Sequence, residues 1–168
     1  MKKLIVFAFF LAFLCPGYSY SQTKGKIGLS GSIQSSQLGI SLPIWLGEKF
    51  VLAPAFDFEY AEKIGTDFSI GLAPRFYLKN EKLSPYFGLK IGTAINIPSS
   101  ESGINTKNKY DIIGGLAFGA EYFIGDSFSV GVEAQGNFTK SDENSNRFGN
   151  SGGLNFNTAT MISATIYF

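Results

Sequence analysis

The chain has 168 residues, 45% of them hydrophobic and 16% charged, with a formal net charge of +1 and no histidine. A nearly neutral chain offers no basic surface for nucleic acid. The missing histidine excludes Ser-His and Cys-His nucleophile systems and any histidine-held metal.

At the amino end, Met1-Lys2-Lys3 is a short basic region and Leu4 to Leu14 an unbroken apolar run, broken by Pro16-Gly17. Ser19 and Ser21 supply small residues before Gln22. This pattern predicts a secretory signal peptide over residues 1–21, cleaved near Ser21/Gln22, and is too short to cross a membrane as a helix. Leu14 and Pro16 around Cys15 are a poor match to a lipid-attachment site. Cleavage leaves a chain over residues 22–168 with no cysteine, hence no disulfide framework. Its formal charge becomes −1 once Lys2 and Lys3 are subtracted from +1.

Eight segments of period two follow, near 24–34, 38–46, 49–60, 67–79, 85–97, 110–124, 127–139 and 154–168. The third sets Phe50, Leu52, Pro54, Phe56, Phe58 and Tyr60 against Val51, Ala53, Ala55, Asp57 and Glu59. The fourth, fifth and seventh separate apolar from small or polar residues in the same way. A soluble barrel with its apolar face inside needs a heavily charged exterior. Here the polar face is instead rich in Gly, Ala, Ser and Asn, with glycines 28, 39, 71, 88, 92, 115, 119 and 131 on it. The fitting arrangement is inverted, apolar outside and polar inside. Because no apolar run after the signal is long enough for a helical span, such a chain crosses a membrane only as a closed barrel.

Phe50 and Tyr60 are ten residues apart on one face, as are Phe128 and Phe138. On a tilted strand that spacing rises about 25 Å, the height of an outer-membrane apolar band. Trp45, Phe50, Phe76, Tyr77, Tyr86, Phe87, Tyr122, Phe123, Phe128, Tyr167 and Phe168 flank alternate turns and predict an aromatic girdle there. Short turns near 47–49, 80–84 and 125–127 belong on the periplasmic side, and long polar connections near 98–109 and 140–153 outside. Pro54 and Pro74 read as bulges or bends.

Together with the signal segment and the eight strands, the runs Leu72-Ala73-Pro74-Arg75-Phe76-Tyr77 and Leu83-Ser84-Pro85-Tyr86-Phe87-Gly88 resemble the small outer-membrane β-barrel family, OmpX-like and similar to the OmpA transmembrane domain. The last strand resembles the C-terminal signal read by the barrel assembly machinery, with Ile162, Ala164, Ile166 and Phe168 on one face. The expected fold is therefore an all-β, eight-stranded antiparallel up-and-down transmembrane β-barrel in the outer membrane of a Gram-negative bacterium. The resemblance implies outer-membrane lipid, lipopolysaccharide, periplasmic chaperones and the assembly machinery as partners.

Six charged residues are expected to face the lumen: Asp57, Glu59, Arg75, Lys90, Glu121 and Glu133. The interior of eight strands is just wide enough for side chains. Opposite charges there are expected to pair into a plug, with Arg75–Glu133 the preferred pair, because an unpaired buried charge costs several kcal/mol. No catalytic, metal or cofactor site is expected. The expected role is structural or interaction-based, for a monomer presenting loops 98–109 and 140–153. The alternatives are narrow porin-like passage of solutes and a lipid-modifying enzyme.

Overall fold

The computed structural model describes residues 27–35, 37–61, 65–98, 108–145 and 149–168. The expected signal segment lies outside them, as do parts of both long connections. The strands are β1 (Gly28–Gln34), β2 (Gln37–Ser41), β3 (Ile44–Trp45), β4 (Phe50–Ala61), β5 (Gly65–Tyr77), β6 (Leu83–Pro98), β7 (Lys109–Phe123), β8 (Phe128–Lys140) and β9 (Leu154–Tyr167). They are hydrogen-bonded in the order β2-β1-β9-β8-β7-β6-β5-β4-β3, and a β2–β4 pairing closes the sheet on itself. Every pairing is antiparallel.

β2 and β3 are two pieces of one stave, so the barrel has eight staves. Both lie on β4 in a single register, with Leu38 opposite Phe58 and Ile44 opposite Leu52. That register sets Leu42 opposite Pro54, whose carbonyl accepts from the Leu42 N–H at 2.9 Å. In an antiparallel ladder the N–H and C=O of one residue face the same neighbour, so the N–H that Pro54 lacks is the one Leu42 would have used. Pro74 interrupts β5–β6 in the same way, between the pairs Leu72↔Ile91 and Arg75↔Gly88, and the register is unchanged beyond it. Of the bulge or bend expected from sequence, the unchanged register excludes the bulge at both prolines; each removes a donor without adding a residue.

Following partners around the wall from Gly31 passes through Ile40, Phe56, Ile70, Thr93, Ile112, Lys140 and Leu154. Extending the β1–β9 register sets Leu154 opposite position 41, a shear of ten residues. With eight staves this corresponds to a strand tilt of about 40°.

The two faces separate by residue parity. Phe56, Phe58, Ile70, Leu72, Ile91, Ile112, Phe118 and Ile162 point outward and are exposed, whereas Arg75, Glu121, Glu133, Gln135 and Thr165 point inward and are buried. The apolar face is thus outside, inverting the arrangement of a soluble domain. Parity also divides the expected girdle. Phe50, Phe76, Phe87, Tyr122, Phe128 and Phe168 are exposed on the outer wall, but Tyr77, Tyr86, Phe123 and Tyr167 are buried inside, and Trp45 packs against Tyr77 and Tyr167 there. An aromatic beside a turn serves either purpose, and only its parity along the strand decides which.

The turns after β3, β5 and β7 gather at one end with Ile27 and Phe168, and β1, β4, β6 and β8 end at the other. At this loop end Ser35 makes a tight β1–β2 turn with φ of 55°. Asp111, at the mouth of β7, accepts from the Asp142 N–H at 2.8 Å and from Ser145 Oγ at 3.0 Å, holding the described part of the 141–153 connection against the rim.

Candidate functional site

The turn-end half of the lumen is filled. Glu121 on β7 is 3% exposed and accepts hydrogen bonds from three hydroxyls, Tyr77 on β5, Ser129 on β8 and Tyr167 on β9. Three strands therefore converge on one carboxylate. Such charge-assisted bonds are about twice as strong as neutral ones and offset the cost of burying the group. The rings that carry these hydroxyls seal the space around it: Trp45 stacks on Tyr77 at 4.8 Å, Tyr77 lies 5.1 Å from Tyr86, and Phe123 stacks on Tyr167 at 5.8 Å. Glycine makes room for two of them. A Cβ on Gly28 would lie 2.9 Å from the Tyr167 ring, and one on Gly119 would lie 2.5 Å from Tyr86.

Directly above, Glu133 on β8 accepts from Tyr86 Oη at 2.8 Å and from Gln135 Nε2 at 2.6 Å. Arg75 on β5 brings its Nε to 3.7 Å from Glu133 Oε2 and sets its guanidinium carbon 5.1 Å from the Tyr86 ring centre. At 3.7 Å the contact is an ion pair without a hydrogen bond, and Nε has no hydrogen-bond partner among the described residues. Gln135 extends the network: its Oε1 accepts from Lys90 Nζ at 3.0 Å and from Asn137 Nδ2 at 3.2 Å.

Of the six charges expected inside, Arg75, Lys90, Glu121 and Glu133 belong to this connected layer. Asp57 lies above it, beside a cavity that Lys90 also lines. Glu59 stands apart near the loop end, accepting from Gln37 Nε2 at 3.3 Å. The aromatic hydroxyls of Tyr77, Tyr86 and Tyr167, and the amide of Gln135, are the members that sequence reasoning missed. Their signal was parity: Tyr77 shares a face with Arg75, and Tyr167 with Ser163 and Thr165.

Among the described residues the loop-end half holds open space. A cavity of about 240 Å³ reaches from Gln34, Gln37, Thr139 and Asn157 down to Lys90 and Ala73, with Asp57 in its wall. Below it only about 30 Å³ separates Asp57 and Lys90 from Arg75 and Glu133. The lumen is thus a vestibule standing on a plug. Among the described residues no three His, Cys, Asp or Glu side chains converge as metal ligands.

A closed eight-stave barrel, apolar outside and polar inside, defines the fold of the small outer-membrane β-barrels. Two solved structures share it. The N-terminal β-barrel domain of Pseudomonas aeruginosa OprF matches with a TM-score of 0.61 and 14% identity, over 84% of this chain and 95% of that one. Neisserial surface protein A (NspA) matches with a TM-score of 0.54 and 13% identity, over 84% of this chain and 93% of that one. No protein-family model matches the sequence, and no curated protein does.

Proposed function

We propose that this protein is a monomeric structural or interaction barrel of a Gram-negative outer membrane, with its lumen closed to solutes. The observation that carries this reading is the combination of an exposed apolar wall and a plugged core. Phe118, Ile162, Ile112 and Ile91 are each more than 60% exposed, which suits lipid and not water. Inside, the Tyr77–Glu121–Tyr167 and Arg75–Glu133–Tyr86 contacts fill the turn end of the lumen, which supports a closed barrel.

In this reading the turn end faces the periplasm, residues 1–21 are removed on export, and Ile162, Ala164, Ile166 and Phe168 are read by the assembly machinery after periplasmic chaperones deliver the chain. Recognition of external partners falls to the connections 98–109 and 140–153, and lipid and lipopolysaccharide surround the wall. No enzymatic role is assigned: Glu121 and Glu133 are engaged by hydroxyls, an amide and a guanidinium, and no histidine is present to act as base.

The test joins two measurements on the refolded protein. A closed barrel in detergent should shift its mobility on a denaturing gel after boiling. In planar bilayers it should give no stable conductance steps. Stable large steps would replace this reading with porin-like passage.

A further inference from the structure

We propose that the vestibule above the plug is a closed-bottomed binding site for a small zwitterion of free amino-acid size, its ammonium on the Asp57 carboxylate and its carboxylate on the Lys90 ammonium. This rests on the closed lumen proposed above and adds a ligand to it.

Size comes first. The cavity holds about 240 Å³, against about 10–15 Å³ for one water. A small organic solute therefore fits with water to spare. Below it the space narrows to about 30 Å³ bounded by Arg75 and Glu133, too small for the same solute.

The charges then select its class. Among the described residues, Asp57 and Lys90 are the only charged side chains lining the cavity, and they are of opposite sign. Both have unused capacity. Lys90 spends one of its three N–H donors on Gln135 Oε1, and Asp57 makes no hydrogen bond among the described residues. Gly39 keeps the Asp57 carboxylate against the wall, since a Cβ there would lie 2.3 Å from Asp57 Oδ1.

A lone cation is attracted by Asp57 but opposed by Lys90, and a lone anion meets the reverse. A zwitterion satisfies both and adds no net charge above the buried Arg75–Glu133 pair. The rest of the polar lining is neutral, with hydroxyls from Ser69, Thr93 and Thr139 and amides from Asn137 and Asn157. Among the described residues no aromatic side chain lines the cavity, so none offers a ring on which a sugar could stack.

Calorimetry on the detergent-refolded barrel tests this with glycine, alanine and serine as probes, against methylamine, acetate and glycerol. The expected result is saturable heat for at least one amino acid, with methylamine, acetate and glycerol at least tenfold weaker. Asp57→Asn and Lys90→Met should each weaken that binding at least tenfold while keeping the heat-dependent gel shift. If either variant fails to fold, amide NMR of the unmutated barrel decides, because shifts on glycine addition should concentrate at residues 57, 90 and 137. Absence of saturable binding, equal binding of glycerol, or shifts confined elsewhere would overturn the site and leave the plug standing. Leakage of glycine through barrel-containing vesicles would instead overturn both the closed floor and the site.

Discussion

At the level of single residues, the plug is a set of unequal bargains between desolvation and pairing. Glu121 is well compensated by three hydroxyls, whereas Arg75 relies on charge at 3.7 Å and on the Tyr86 face. Removing Arg75 strands Glu133 with its remaining partners, Tyr86 and Gln135. Arg75→Ala should therefore destabilise the refolded barrel by about 3 kcal/mol, near the lower end for a broken buried pair because no hydrogen bond is lost. It should not open a channel, since the ring layer of Trp45, Tyr77, Phe123 and Tyr167 lies below it. Denaturant unfolding and bilayer conductance, read together, check both halves. Outside the wall, Asp142 obeys simpler rules. Hydrogen bonds from the Asn144 backbone N–H at 2.8 Å and side-chain amide at 3.2 Å hold its carboxyl below the usual 3.8. A depressed carboxyl stabilises its turn at every pH above its ordinary value and loses that contribution as pH falls through the lowered one. The Asn144 amide resonance should consequently titrate with a midpoint under 3.8, and Asp142→Asn should abolish the transition.

Among the elements, the wall is regular in register and irregular in spacing. Gly71 on β5 pairs with Gly92 on β6, and a Cβ on Gly71 would sit 2.6 Å from the Ile91 carbonyl and 3.1 Å from the Gly92 Cα. Backbone on both sides cannot yield cheaply, so Gly71→Ala should destabilise by about 1–3 kcal/mol. Gly114 faces outward, where the nearest contact of such a Cβ is 4.0 Å away; Gly114→Ala should be neutral or stabilise by about 0.5–1 kcal/mol. Comparing the two unfolding midpoints checks that it is luminal crowding, not glycine content, that matters. This contrast explains what was legible beforehand. Period-two alternation assigns each side chain to a face without knowledge of its neighbours, so the inside of β5 and β8 was readable from Arg75 and Glu133 alone. The split between β2 and β3 was only half legible: Pro43 lies within it and lacks the N–H that would face Gly28, but Pro54 is on another strand, reached only once Leu42 is known to lie opposite. The convergence of Tyr77, Ser129 and Tyr167 on Glu121 is likewise a property of register and closure. Grouping aromatics by nearness to turns concealed it, although their parity was on view.

For the molecule as a whole, the inverted barrel places two demands on one surface: the wall must suit lipid, and its last strand must close against its first. Phe168 separates the two. Its backbone N–H donates to the Ile27 carbonyl at 2.9 Å, a bond that does not depend on the side chain. The ring is 59% exposed on the outer face and supports little of the interior. By contrast, Tyr167 one residue earlier is 3% exposed and reaches Glu121, so closure energy resides there. If the terminal ring serves chiefly as a handle for insertion, Phe168→Ala should lower the amount of assembled barrel in cells several-fold. The same variant, refolded and compared in denaturant, should differ from the unmutated protein by less than about 1 kcal/mol, as expected for a side chain that makes few contacts within its own fold. A loss of stability as large as the loss of assembly would instead place Phe168 among the residues that hold the finished barrel closed.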